Sequence, residues 1–268
     1  PICVHSMKEG KHAATEVPAA VTLDECWELV DTAEKTQRHC MMLENCCYGE
    51  MELLALNLCR QGILGELVHG EAAYIHDLRS LKMSDKGGYQ GMWRLAHSVK
   101  RNGNLYPTHG LGPIAQYMGI NRGDRFDHLS SISSAERGLT LWAEKNCPPD
   151  DPRRKQKYLC GDMNTTVIRT CQGRTIMVQH DTTSPRPYTR HNLISGTKGI
   201  LADYPPRAAL DPKAHEWMSD EEFTKFREQH MHPLWKRVGD EAKKAGGQGG
   251  MDFIMAGGVV YCLRNGGA

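Results

Sequence analysis

The sequence predicts α/β architecture followed by α+β architecture. Residues 1–62 read as the C-terminal remnant of a doubly wound parallel sheet, and residues 63–268 as an α+β domain. The second domain is expected to be an open, mostly antiparallel sheet with helices packed on one face. Three observations carry this. Short apolar strands alternate with amphipathic helices as far as Gly62, the order of a doubly wound sheet. Longer alternating segments then follow without a helix after each one, which makes their sheet largely antiparallel. Finally, 40% apolar and 24% charged residues over 268 positions suit a chain that can bury a sizeable core.

The elements justify themselves in order. Met7 to His12 looks like a helix end with Gly10 as its C′ residue. Residues 13–18, Ala-Ala-Thr-Glu-Val-Pro, are short, apolar and stopped by Pro18, as a buried parallel strand would be. Thr22-Leu23-Asp24-Glu25 is a capping box. Leu23, Cys26, Trp27 and Val30 then recur at helical spacing. Residues 39–43 form a second apolar strand ending at Glu44-Asn45, and the next helix carries Met51, Leu54, Ala55 and Leu58 before Gly62 closes it.

Beyond Gly65 the period changes to two. Residues 66–76 alternate so that Val68, Ala72, Tyr74 and His76 share a face. Further strands are expected at 126–133, 164–170, 174–182, 189–195 and 199–204, with Cys171-Gln172-Gly173 as a three-residue hairpin turn. Residues 243–250 are a Gly-rich loop, and 251–263 a helix capped by Asn265-Gly266-Gly267. Opening on a helix tail and stopping on a helix, the chain reads as a piece of a larger fold.

Composition removes several function classes. With 33 basic and 32 acidic residues the net charge is +1, and the short Arg153-Arg154-Lys155 run is a solvated loop rather than a nucleic-acid patch. No apolar stretch approaches the ~18 residues of a membrane span, and the first residues do not read as a signal peptide. Localisation stays open between the cytoplasm and export in folded form. The ten cysteines contain no C-x-x-C pair, so neither a metal centre nor a disulfide scaffold is expected.

Four places could carry chemistry. Glu16-Val17-Pro18 and Glu44-Asn45 end parallel strands, where open α/β sheets bind ligands, although both could simply cap helices. Tyr74 to Arg79 sets polar groups at a strand end, with His76 and Asp77 readable as a local pair. Leu105-Tyr106-Pro107-Thr108-His109-Gly110 puts a phenol and an imidazole either side of a proline, and Pro185-Arg186-Pro187-Tyr188 holds a tyrosine in a stiff loop. Structural roles for His109, Tyr74 and Tyr188 compete with these readings.

These residues also carry a resemblance over nearly the whole chain. Gly10-Lys11-His12, Glu16-Val17-Pro18, Glu44-Asn45, Met92-Trp93-Arg94, Asn102 to Gly110, Ser184 to Tyr188, His232-Pro233-Leu234-Trp235 and Gly249 to Phe253 occur in that order. The chain resembles the NAD-dependent family-109 glycoside hydrolases, a branch of the glucose-fructose oxidoreductase (Gfo/Idh/MocA) superfamily. The Asn102–Gly110 stretch is the most specific part.

The resemblance implies a Rossmann domain, a catalytic α+β domain and NAD as cofactor. The reaction it implies is a cycle of oxidation at the sugar C3, elimination, water addition and reduction, on terminal α-N-acetylgalactosamine or a related glycoside. Such a route needs a group that takes the C3 hydroxyl proton and a second base near C2, and imidazole and phenol suit that work. Matched residue by residue, Glu16, Val17, Asn45 and Tyr106 would lie against NAD. Tyr74, Arg94, Tyr106, Pro107, Thr108, His109 and Tyr188 would line the sugar site, with His109 and Tyr74 catalytic.

Three features depart from relatives. The G-x-G-x-x-G turn and ribose-binding acid that the resemblance implies would precede residue 1. Val17 stands where the dehydrogenase branch carries a lysine, which favours the hydrolase over an NAD(P)-dependent sugar oxidoreductase. Gln248 stands where relatives tend to carry histidine. An inactive fragment is the third alternative, and the open sheet offers a face on which a second copy could pair.

Overall fold

A computed structural model describes residues 2–86 and 89–265. By its internal packing the chain divides into two units, residues 1–49 with 237–268 and residues 50–236.

The first unit begins with α1 (Ile2–Lys8), released by Gly10 at φ +76°. Then come β1 (Ala13–Thr15), α2 (Leu23–Thr36) and β2 (Cys40–Met42). β1 and β2 pair in parallel, Ala13 opposite Cys40 and Thr15 opposite Met42, as a β-α-β order requires. The capping box forms: Thr22 Oγ1 accepts from Glu25 N at 3.2 Å, while Glu25 Oε2 accepts from the amides of Thr22 and Val21.

Two expectations fail in this unit. β1 is half-exposed rather than buried, and the helical stripe of α2 faces solvent, with Leu23 79% and Trp27 66% exposed. The reason is geometric. A two-stranded sheet of three-residue strands has too little surface to cover a helix face.

The second unit begins with α3 (Glu50–Arg60), whose Met51, Leu54, Ala55 and Leu58 are buried as expected. β3 (Leu67–Ile75), α4 (Arg79–Lys82), α5 (Trp93–Lys100), α6 (Thr108–Tyr117), β4 (Phe126–Ser133) and α7 (Gly138–Asn146) follow. β5 (Asn164–Thr170), β6 (Thr175–Asp181), β7 (Leu193–Gly196), β8 (Gly199–Ala202), β9 (Arg207–Leu210) and α8 (Asp220–His230) complete it. The strands make one seven-stranded sheet in the order β4-β5-β6-β3-β7-β8-β9. Among the described strands of this sheet, β3 and β6 pair in parallel and the other strand pairs are antiparallel.

β3 lies at the centre, and α6 packs directly on it because Gly110 carries no side chain. A Cβ there would stand 2.5 Å from Ala73 N. Ile75, Ile114, Ile176, Val178, Ile194 and Leu201 form fully buried core around this contact. Where β3 pairs with β7 the register slips between Leu67 and His69, and Val68 is 52% exposed instead of sharing the buried face of Ala72. The strand expected at 189–195 starts only at Leu193, since His191 (φ +59°) and Asn192 (φ +49°) break its pairing. Leu129 and Ile132 on β4 and Val167 on β5 open to solvent.

α9 (Pro233–Ala245) and α10 (Met251–Asn265) close the chain, α10 within the first unit. The cap expected at Gly266-Gly267 lies outside the described residues.

Candidate active site

Ring-bearing side chains of the second unit converge at the C-terminal end of β3. Tyr74 sits there 7% exposed, with His180 directly opposite on β6 and their rings stacked at 6.3 Å. Pro107 caps α6, which sets Tyr106 just before the helix and Thr108 and His109 in its first turn. Because α6 lies so close on β3, the His109 ring comes within 5.5 Å of Tyr74 and 4.9 Å of Tyr106, and Tyr106 lies 4.6 Å from Tyr74.

The 185–188 loop is pinned by backbone hydrogen bonds in both directions between Thr189 and Ile75. It brings Tyr188 to 6.5 Å from Tyr74 and 5.1 Å from His76. From the first turn of α5, the Arg94 guanidinium lies 4.8 Å from the centre of the Tyr106 ring and 4.6 Å from that of Trp93, a cation–π arrangement. Five residues singled out from sequence thus meet: Tyr74, Arg94, Tyr106, His109 and Tyr188. Pro107 and Thr108 sit between two of them in the chain. The readable His76–Asp77 pair does not form; Asp77 is gripped by Arg79 through Nε at 2.9 Å and Nη2 at 2.7 Å, a bidentate bond that imidazole cannot match.

The electrostatics are set by burial at the end of β3 and by the cations Arg94 and Lys82. Burial pushes the Tyr74 phenol well above its usual range, against the pull of Arg94. Burial, helped by Arg94, lowers the His76 imidazole to about 4. Burial, Lys82 and Arg94 together lower His180 to about 3. Both imidazoles and the phenol are therefore neutral near pH 7.

Buried polar atoms are normally paired. Here His76 Nε2, Arg94 Nε, Thr108 Oγ1 and His180 Nδ1 are buried without a hydrogen-bond partner. Such exceptions gathered around one ring cluster suit a polar ligand.

Sequence reasoning did not single out His180 or Lys82. His180 was within reach: in the strand expected at 174–182 it alternates with Ile176 and Val178, a polar residue on an apolar face. Lys82 gave no such signal. It is 3% exposed on a four-residue helix, its Nζ donates to Ser98 Oγ at 3.1 Å, and burial lowers its amine to about 8.

The first unit holds the remaining candidates. Glu16 and Val17 follow β1 and Glu44-Asn45 follow β2, so the parallel pairing sets these pairs at the same end of the two strands. Glu16 is exposed and Val17 half-buried. Glu44 is buried, and its Oε1 accepts from Cys46 N at 3.1 Å. Asn45 Nδ2 donates to Asp252 Oδ1 at 2.7 Å, which gives the Gly249–Phe253 motif a role that sequence alone did not reveal. This bond commits the Asn45 carbonyl as an acceptor, and its Oδ1 is buried without a hydrogen-bond partner.

Comparison with known proteins finds relatives over nearly the whole chain. Residues 48–268 match the family model described as "Glycosyl hydrolase 109, C-terminal domain". The chain is 56% identical over 271 residues to "Glycosyl hydrolase family 109 protein 1" of Shewanella sp. (strain MR-4), covering 99% of this chain and 58% of that protein. It is 55% identical over the same length to a "Glycosyl hydrolase family 109 protein" of Shewanella baltica (strain OS155 / ATCC BAA-1091), again spanning 58% of the relative.

Among solved structures, an NAD binding oxidoreductase from Klebsiella pneumoniae aligns at TM-score 0.62 and 17% identity, over 81% of this chain and 55% of that one. A levoglucosan dehydrogenase in complex with NADH and L-sorbose aligns at TM-score 0.60 and 19% identity, over 81% and 55%. These likenesses show a fold shared with those two oxidoreductases. The chain belongs to glycosyl hydrolase family 109.

Proposed function

We propose that this chain carries the sugar-binding and catalytic residues of an NAD-dependent glycoside hydrolase acting on terminal α-N-acetylgalactosamine or a related glycoside. The convergence of Tyr74, Arg94, Tyr106, His109 and Tyr188 around buried, unpartnered polar atoms supports this most directly. A retaining or inverting hydrolase of the usual kind needs two facing carboxylates. The cluster is instead built of phenols, imidazoles and a guanidinium.

The residues after β1 and β2 fit a nicotinamide nucleotide. Glu16 and Val17 follow one strand end, and Asn45 leaves a buried amide acceptor unpaired after the other, suited to a carboxamide or ribose hydroxyl. Bound NAD would supply reversible hydride exchange at the sugar C3, which acidifies the neighbouring C2 proton. His109 would take the C3 hydroxyl proton and return it at the end of the cycle. Burial keeps the Tyr74 phenol protonated, so it would give its proton to the departing glycosidic oxygen, take the C2 proton in its place, and run the same exchange in reverse when water adds. Arg94, with a fixed fork of donors, would hold substrate hydroxyls or an acetamido carbonyl.

In the full-length protein we expect cleavage of an aryl α-N-acetylgalactosaminide with no net NADH. Steady NADH accumulation with free sugar would instead assign a sugar oxidoreductase. Val17, which offers no amine to a sugar hydroxyl, favours the hydrolase. His109→Ala should abolish hydrolysis while nucleotide binding, followed by fluorescence quenching, persists; hydrolysis retained in that variant removes His109 from the mechanism.

A further inference from the structure

Next to Tyr188 lies a buried ion pair that the reaction scheme does not use. Arg190 and Glu52 have side chains 8% and 3% exposed, and Arg190 Nη2 is in direct contact with Glu52 Oε1. The other arm of the same guanidinium, Nη1, donates to the Tyr188 hydroxyl oxygen at 3.0 Å. The Arg190 Cζ also lies 5.7 Å from the ring centres of both Tyr188 and Tyr204, which are 5.9 Å apart.

The local backbone is under strain. His191, Asn192 and Tyr204 hold φ of +59°, +49° and +62°, a left-handed region that L-residues with a Cβ rarely adopt. Side chains hold two of these residues in place: Tyr117 Oη donates to Asn192 Oδ1 at 2.9 Å, and His191 Nε2 lies 3.1 Å from Gln179 Oε1.

Stability alone accounts poorly for this arrangement. Taking two charges out of water offsets most of their attraction, and an apolar pair of the same volume often does as well. Burial indeed pushes the Glu52 carboxyl upward, and Arg190 pulls it back. What an apolar pair could not do is present a cationic N–H to a phenol oxygen. We infer that Arg190, locked by Glu52, is a positioning residue for Tyr188: it fixes the direction of the phenol and strengthens the hydrogen bond that the hydroxyl donates to a sugar oxygen. A donor that itself accepts from a cation is polarised toward giving up its hydrogen. The inference rests on Tyr188 lining the sugar site.

The tether can be tested apart from the reaction, by the ¹³Cζ resonance of Tyr188 in tyrosine-labelled protein, assigned with Tyr188→Phe. Glu52→Gln, Arg190→Gln and the paired E52Q/R190Q variant, which leaves no lone buried charge, should each move that resonance. The Tyr158 resonance should stay in place as a control for the fold. In the full-length protein, Arg190→Gln should lower kcat/KM for an aryl glycoside roughly 10- to 100-fold, but add nothing in a Tyr188→Phe background. An unmoved Tyr188 resonance overturns the proposal. So does an Arg190→Gln loss that is equally large with and without the phenol. A resonance that moves while Tyr188→Phe leaves hydrolysis unchanged upholds the tether and removes Tyr188 from the sugar site.

Discussion

His180 shows what burial asks of a single side chain. It is 3% exposed, and burial beside Lys82 and Arg94 holds its imidazole down to about 3. Between an unfolded value of ~6.5 and that folded value, the unfolded chain binds a proton that the fold refuses. Stability therefore falls as pH falls through this window, by up to ~1.4 kcal/mol per pH unit for each such group. His76, lowered to about 4, acts in the same direction. Lys82, lowered to about 8, is protonated throughout the window and does not contribute to the slope.

We expect His180→Gln to flatten the decline of the urea midpoint between pH 7 and pH 4 relative to the parent; parallel declines would show that His180 is not the group responsible. Legibility at this scale was uneven for a physical reason. Tyr106 and His109 lie in one contiguous stretch and announce themselves together. His180 gains meaning only once β6 is paired with β3 in register, and Lys82 only once α4 is folded against α5.

At the scale of the element, the packing of α6 on β3 positions half of the candidate site. Gly110 makes it possible: an added Cβ would meet Ala73 N at 2.5 Å and Ala73 O at 2.7 Å, both backbone atoms in the central strand with no freedom to retreat. Gly110→Ala should destabilise the protein by about 1–3 kcal/mol, read from thermal or urea unfolding. It should also lower activity by shifting His109 away from Tyr74. An unchanged midpoint would mean that helix and strand separate without cost.

Local chemistry made many elements legible. The Thr22–Glu25 box and Gly62 marked helix ends, and the two-residue period marked β4, β5 and β6. Where a strand's course was decided by distant pairing, the reading drifted. Residues 189–192 alternate well enough for a strand, and Thr189 does bridge Ile75, yet two left-handed residues then interrupt the ladder until Leu193. β9, with only four residues, is too short to show a period.

For the whole chain, each unit bears an apolar surface of its own. Leu23 and Trp27 stand on α2 of the first unit, and Ile132 and Val167 on one face of the sheet of the second, all close to or above half exposed. A net charge of +1 at pH 7 provides almost no repulsion to keep such surfaces apart. We expect this chain, expressed as it stands, to self-associate at pH 7 and to bind a hydrophobic dye. Trp27→Asp and Ile132→Asp should each raise the fraction that elutes as monomer in light-scattering chromatography.

Acidification should act in the same direction for a different reason. The net charge of +1 counts all 13 histidines as neutral, so lowering the pH can only make the chain more positive. The two effects separate cleanly. If association depends on pH but is indifferent to both aspartate substitutions, charge alone governs it. If the Ile132 change disperses the chain and the Trp27 change does not, the sheet of the second unit is where copies meet, and the stripe on α2 takes no part.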